Sequence, residues 1–169
     1  MALIKLNNQS LTAVTSLPAA IPTGKIGQVV RSVLSTTTYT TGTTSTSIFS
    51  GSITPSATSS YIYAIFTANY RMSCNDNTSN PYGNIRLKVG GSTGSTKADM
   101  RLRDINSAGA TNIDRDFIGE GSAYWTPNST SAQALHVCVE MGTATGRIGL
   151  YGNNDHTNAT SLTLMEILA

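Results

Sequence analysis

The feature that most constrains this chain is an alternation of apolar and other side chains with a period of two. Between residues 61 and 72, the even positions carry Ile62, Ala64, Phe66, Ala68, Tyr70 and Met72. Shorter alternating segments occur at 85–89, 100–103, 135–141 and 148–150, and β-branched or apolar runs at 26–34 and 162–167. No segment sustains a helical stripe with a period of 3.6 residues. The pattern therefore predicts an all-β protein.

The segments between these runs carry the residues typical of turns. Clusters of Gly, Pro, Asn and Ser fall at 55–56, 80–83, 90–94, 108–109, 127–128 and 152–155. The run 90–97 contains Gly, Ser, Thr and Lys as a phosphate-binding loop does, but its Lys follows the Ser/Thr and no helix pattern comes after it, so we predict a turn. Eight or so short strands with such turns predict an antiparallel β-sandwich with jelly-roll-like connectivity.

Composition excludes several classes of protein. Ser and Thr make up 45 of 169 residues, charged residues only 12%, and the net charge is +2. These values argue against a coiled coil, a charge-rich disordered tail and a nucleic-acid binder that depends on phosphate contacts. The sequence contains no run of 18 apolar residues, so it predicts no segment that spans a membrane. The N-terminus lacks the pattern of a signal peptide. We therefore expect synthesis in a reducing cytoplasm, where Cys74 and Cys138 would stay reduced.

Residues 1–24 stand apart from the strand pattern. They contain Pro18 and Pro22 and apolar residues without a clear period, which are Leu3, Ile4, Leu6, Leu11, Val14, Leu17 and Ile21. Because a free tail would expose these side chains, we predict an extended docking arm over residues 1–24 that packs against a neighbouring protein, followed by a β-sandwich domain over 25–169. The alternative is that residues 3–15 form a first strand of the sandwich.

Few residues offer catalytic or metal-binding chemistry. His136, Cys138 and Glu140 share one face of an alternating segment, where residues two apart are too distant for Cys-His catalysis, so a structural role is favoured. Asp155 and His156 fit a turn better than a metal pair. Since no zinc or calcium spacing occurs either, we predict no metal, no cofactor and no catalytic residue.

Several acidic residues cluster between positions 104 and 120. Asp114 and Asp116, with Asp104 and Glu120 nearby, could supply the paired carboxylates of a glycosidase. They fit equally well a strand edge with a local ion pair, and we do not expect an enzyme. The basic residues of two other segments, Arg86, Lys88, Arg101 and Arg103, are candidates to pair with these acids across strands.

Aromatic residues are the best candidates for ligand contact. Flat aromatic faces beside amides suit sugars, and the aromatic residues include Tyr82, Tyr124 and Trp125. Trp125, just before Pro127, is the first choice, with core packing as the alternative. We name Tyr124, Trp125 and Tyr82 as candidate contacts to a carbohydrate.

Three stretches of the chain match a known group of proteins. They are Met1-Ala-Leu-Ile-Lys-Leu-Asn-Asn-Gln-Ser-Leu-Thr-Ala-Val-Thr15 with the Pro18–Pro22 region after it, Gly51-Ser-Ile-Thr-Pro-Ser-Ala-Thr-Ser-Ser-Tyr61-Ile62, and Ser161-Leu-Thr-Leu-Met-Glu-Ile167. Together they resemble small virion appendage proteins of marine tailed bacteriophages, of the type found in cyanophages. The departure at Tyr61, where the family pattern has Lys, is a surface change.

The resemblance implies a non-enzymatic structural protein of a tailed-phage virion. We expect a fibre-like or knob-like appendage subunit involved in host-surface attachment, with a capsid decoration or cement protein as the alternative. For an attachment protein the receptor would be a host-surface glycan, and Tyr124, Trp125 and Tyr82 are the candidate receptor contacts. The resemblance further implies a homotrimer. Its N-terminal arms would contact other virion proteins, of the capsid or the tail. The apolar Tyr61, Tyr63 and Ile65 on the second face of their strand agree with burial by a neighbouring subunit.

Overall fold

The computed structural model describes residues 25–74, 82–103, 113–142, 146–154 and 158–169, which contain ten β-strands and no helix. The expected arm, residues 1–24, lies outside the described residues. The strands are β1 (Lys25–Val33), β2 (Thr38–Thr40), β3 (Thr46–Ile53), β4 (Tyr61–Cys74), β5 (Tyr82–Val89), β6 (Ser95–Arg103), β7 (Ile113–Trp125), β8 (Gln133–Met141), β9 (Gly146–Leu150) and β10 (Ser161–Leu168). Within the described ranges there is accordingly no helix long and apolar enough to cross a membrane.

The strands form two antiparallel sheets. A four-stranded sheet has the order β3-β8-β5-β6, and a six-stranded sheet has the order β1-β10-β4-β9-β2 with β7 also paired to β4. β7 pairs with β4 along almost the whole length of β4. β10 pairs with the first part of β4, and β9 pairs with the second part. β4 is therefore the central strand of the larger sheet.

The connectivity is that of a jelly roll. Without the two short strands β2 and β9, eight strands remain. Their order is β1-β10-β4-β7 in one sheet and β3-β8-β5-β6 in the other. If the eight strands are counted from 1 to 8 along the chain, these orders become 1-8-3-6 and 2-7-4-5. This is the order of a jelly roll, in which hairpins wrap around two packed sheets. The predicted all-β sandwich with jelly-roll-like connectivity is confirmed.

The core lies between the sheets and contains the side chains that the alternation of β4 predicts. Its six even-numbered residues, Ile62 to Met72, are all buried, and Leu162 and Leu164 of β10 lie beside them. The opposite sheet contributes Ile85, Leu87, Leu135, Val137 and Val139. Burial of each large apolar side chain contributes about 1.5–3 kcal/mol, which makes this interface the main source of stability.

One buried position of β10 holds a charge instead of an apolar side chain. Glu166 is 1% exposed and accepts hydrogen bonds from Gln28 Nε2 at 2.9 Å, from the Ser56 backbone N–H at 2.6 Å and from Ser56 Oγ at 2.7 Å. Burial alone would raise the pKa of this carboxyl, but the hydrogen bonds outweigh it and lower the pKa to about 2. The ionised side chain thus ties β1 and the β3–β4 loop to β10.

The glycine-rich run after β5 is a turn, as predicted. Gly90 and Gly91 have φ values of +84° and +97°, in the region that favours glycine, and Gly94 N–H donates to Gly91 O at 3.0 Å. Lys88 Nζ donates to Ser92 O at 2.6 Å, within the same turn. The run closes the β5–β6 hairpin and opens no helix.

Candidate functional site

The outer side of the six-stranded sheet carries a cross-strand row of large side chains. By register, Val29 of β1 pairs with Met165 of β10, Met165 with Tyr63 of β4, and Tyr63 with Tyr124 of β7. Paired residues lie on the same side of a sheet, so the four side chains form one continuous row, which we call the tyrosine row. The next pairs along the strands add Ile26, Ile167 and Tyr61 to it. We call this outer surface of β1, β10, β4 and β7 the apolar face.

In the part of the chain that the structure describes, the exposed large hydrophobic side chains all lie on this side of the sheet. Among the described residues, those with high exposure are Ile26, Val29, Val33, Tyr39, Tyr61, Ile118 and Tyr124. Register places all of them on the outer side of the six-stranded sheet, including Tyr39, which pairs with Gly149 opposite Arg71. Tyr124 is 76% exposed and Ile118 68%. The cluster of Val29, Met165, Tyr63 and Tyr124, with Ile26, Ile167 and Tyr61 beside it, is typical of an interaction site.

Charges of opposite sign stand at the two lateral edges of the apolar face. Arg31 lies on β1 at one edge and Glu120 on β7 at the other. Thr67 Oγ1 lies 3.4 Å from Glu120 Oε1, and no carboxylate of the described residues pairs with Arg31. Because β10 and β4 lie between them, these two charges do not pair within one chain.

The outer side of the four-stranded sheet is polar and internally paired. Arg86 binds Asp99 at 2.9 Å and Glu140 at 2.5 Å, and Asn84 donates to Glu140 at 2.9 Å. The expectation that Arg86 would pair with the acids at 114 and 116 is wrong, because its strand lies in the other sheet. Two carboxylates do converge here, as a glycosidase would need, but one guanidinium binds both, so neither is free to act on a substrate.

Asp116 takes part in a cross-strand ion pair. Arg71 Nε lies 2.8 Å from its carboxylate across the β4–β7 pairing, and Tyr151 Oη donates to the same group. Burial first, and then the hydrogen bond to Asp116, raises the pKa of Tyr151. Asp116 therefore has a structural role, in a local ion pair with Arg71. The side chain of Asp114 lies outside the described residues.

The histidine and cysteine of β8 have structural surroundings. Ser47 Oγ lies 2.9 Å from His136 Nδ1, and the Cys138 thiol contacts the backbone carbonyl of His136 and not its ring. Cys138 is free and buried, and burial raises its pKa, which disfavours the reactive thiolate. The Asp155–His156 pair lies outside the described residues. Within them, no group of three or more potential metal ligands occurs.

The three candidate receptor contacts are not brought together. Tyr124 stands on the apolar face, whereas Trp125, one residue on, is partly buried and packs against the core with Lys97 Nζ 5.7 Å from its ring. Tyr82 lies on the four-stranded sheet, with the Arg101 guanidinium 4.6 Å from its ring. Of the three, Tyr124 alone presents a free aromatic face.

A depression lies at the far end of the apolar face, beyond the tyrosine row. It has a volume of about 750 Å³, and the sequence pattern does not predict it. Its lining includes Arg31, Val33, Asn69, Ile118, Asn153 and Asn158. The one sequence signal was the run of asparagines after β9, which we interpreted as a turn. We call this site the amide depression.

Comparisons with known proteins give no close relative. No family model and no curated protein matches the chain. Among solved structures it is similar to the VP2 subviral particle of infectious bursal disease virus, with 10% identity, a TM-score of 0.29 and coverage of 84% of this chain and 37% of that one. Particles derived from the same virus give a TM-score of 0.37, 11% identity and coverage of 84% and 36%.

A sugar-binding protein is also similar. It is the C-terminal domain of EclA, with 13% identity, a TM-score of 0.35 and coverage of 96% of this chain and 99% of that one. The chain thus spans little more than a third of the viral chains and nearly all of the EclA domain. The TM-scores are too low to carry a functional conclusion.

Proposed function

We propose that this protein is a non-enzymatic structural subunit of a tailed-phage virion, a fibre-like or knob-like appendage subunit that takes part in attachment to the host surface. The observation that carries the proposal is the apolar face, because every highly exposed large hydrophobic among the described residues lies on that one side. A protein that acted alone would leave this surface in water, at a cost in solubility.

The occupant we propose for the apolar face is a second copy of the same chain. In a closed ring of copies, the apolar face of each copy would turn towards the axis and pack against the apolar faces of its neighbours, which removes the exposed side chains from water. A three-fold ring, the homotrimer that the phage resemblance implies, closes with this one contact. The arm of residues 1–24 would join the ring to other virion proteins.

Capsid decoration is the second candidate, and one observation favours it. Exposed aromatics in loops would suit a receptor site, but Tyr61 and Tyr124 stand within strands of the apolar face. That position suits contact with another virion protein as well as it suits a second copy. The two candidates differ in where the protein sits on the particle.

Antibody labelling of intact particles tests the proposal. Antibodies against the purified protein should label the tail tip of the phage that encodes it, and excess purified protein should reduce adsorption of that phage to its host. Label on the head, with undiminished adsorption, would replace attachment with capsid decoration. Absence of label on every part of the particle would contradict a virion role.

A further inference from the structure

β1 contains a bulge where it borders the apolar face. The register with β10 shifts between Ile26 and Gln28, which pair with neighbouring positions of β10, so Gly27 between them is an extra residue. In a regular strand, side chains three residues apart point to opposite sides of the sheet. The extra residue reverses this alternation, so Ile26 and Val29 lie on the same side, with exposures of 58% and 56%.

A regular register would give the apolar face a different surface. Without the bulge, Gly27 would take the place of Ile26 opposite Ile167, and the isoleucine would turn to the inner side of the sheet. The row that contains Ile167 and Tyr61 would then end on β1 at a residue without a side chain. The bulge therefore decides that β1 contributes an isoleucine to this row of the apolar face.

Two sets of contacts fix the bulge at this position. Gln28, the residue after it, points inward and donates from Nε2 to the buried Glu166 at 2.9 Å and to the backbone carbonyl of Thr54. A methyl group on Gly27 would lie 2.9 Å from Leu168 Cδ2 and 3.0 Å from Glu166 Oε2. Because these distances are shorter than van der Waals contact, a residue larger than glycine displaces the bulge or the groups around it.

We infer that Gly27, Gln28 and Glu166 are positioning residues for the contact between copies, because they place Ile26 on the apolar face. The inference rests on the proposed contact with a second copy, and it names the residues that decide which β1 side chain this partner meets. An isoleucine that is more than half exposed in the single chain would leave water in the contact, which favours association. The buried carboxylate thus serves recognition between copies as well as stability.

Sedimentation equilibrium of full-chain variants tests the inference. Ile26→Ser removes the exposed apolar side chain directly and should raise the dissociation constant between copies about tenfold. Gly27→Ala should raise it by a similar factor, because the added methyl group displaces the bulge. Deletion of Gly27 should leave it within about twofold, because the residues on either side then pair with β10 as they do now. Gly42→Ala, whose methyl group makes only an ordinary contact, is the control and should change nothing.

Nuclear magnetic resonance of the same methyl-labelled proteins reports the position of the isoleucine independently of affinity. The methyl groups of Ile26 should show nuclear Overhauser effects to Ile167 in the wild type and in the deletion variant, and lose them in Gly27→Ala.

Each failure has its own signature. An oligomeric wild type whose affinity is unchanged by Ile26→Ser rejects the inference alone. Gly27→Ala that keeps both the Overhauser effects and the affinity of the wild type also overturns it, as does a deletion variant that no longer associates. A monomeric wild type rejects the proposed assembly, and the inference falls with it.

Discussion

Glu166 offers the sharpest test of how this fold is held together. Protonation removes the charge that Gln28 and Ser56 stabilise, and Glu166→Gln imitates the protonated group with the same shape. The difference between the ordinary pKa of 4.5 and the folded-state value of about 2 corresponds to about 3 kcal/mol, as an upper value. Because the folded-state pKa is lowered, this stability is complete above about pH 5 and is lost as the pH falls from 4.5 towards 2.

Urea unfolding at several pH values measures this contribution. At pH 7, Glu166→Gln should unfold with a free energy about 2–3 kcal/mol below that of the wild type, and the gap should shrink steadily between pH 4.5 and pH 2.5. Glu120→Gln, which changes an exposed carboxylate of β7, should stay within about 0.5 kcal/mol throughout. A gap that does not change with pH, or one no larger than that of the control, would refute the reasoning.

Three further predictions concern packing, charge and the arm. Gly121→Ala places a methyl group against the aromatic ring of its cross-strand partner and should lower the free energy of unfolding by about 1–3 kcal/mol, whereas Ser122→Ala should change it little in urea titrations. Arg86→Gln leaves two carboxylates without their shared partner and should cost about 1–3 kcal/mol, with Arg101→Gln close to neutral in the same assay. Deletion of residues 1–20 should leave a folded, β-rich protein by circular dichroism that no longer joins the particle. A truncated chain that melts far earlier would instead assign residues 3–15 to the sandwich.

The sequence predicted the parts of the fold in which one strand face is apolar. Residues 61–72 alternate over twelve positions, and the structure buries the predicted side as the centre of the core. β7 was identified only at its acidic start, because its inner positions include Gly119 and Gly121. These glycines make room for Met100 and Phe66, so the space is filled from neighbouring strands and the alternation of β7 does not appear in its hydrophobicity.

The apolar face could not be predicted from short stretches of sequence, because it depends on how strands distant in the chain pair. Period two separates the two sides of β4, but register across four strands is needed to join Val29, Met165, Tyr63 and Tyr124 into one row. The partner of Asp116 is 45 positions away, and for the same reason spacing along the chain could not reveal it. A signal was present at Glu166, a charged residue at a core position of an apolar strand.

The central claim is that the apolar face is covered by a second copy of this chain, and light scattering tests it most directly. At micromolar concentration the wild type should have three times the mass of the 17.7 kDa chain. Tyr124→Glu should reduce the mass to that of a monomer, because it places an unpaired charge in the tyrosine row. Ser52→Glu, an exposed position on the other sheet, should leave the mass unchanged. A monomeric wild type, or an oligomer that survives Tyr124→Glu intact, would contradict the account.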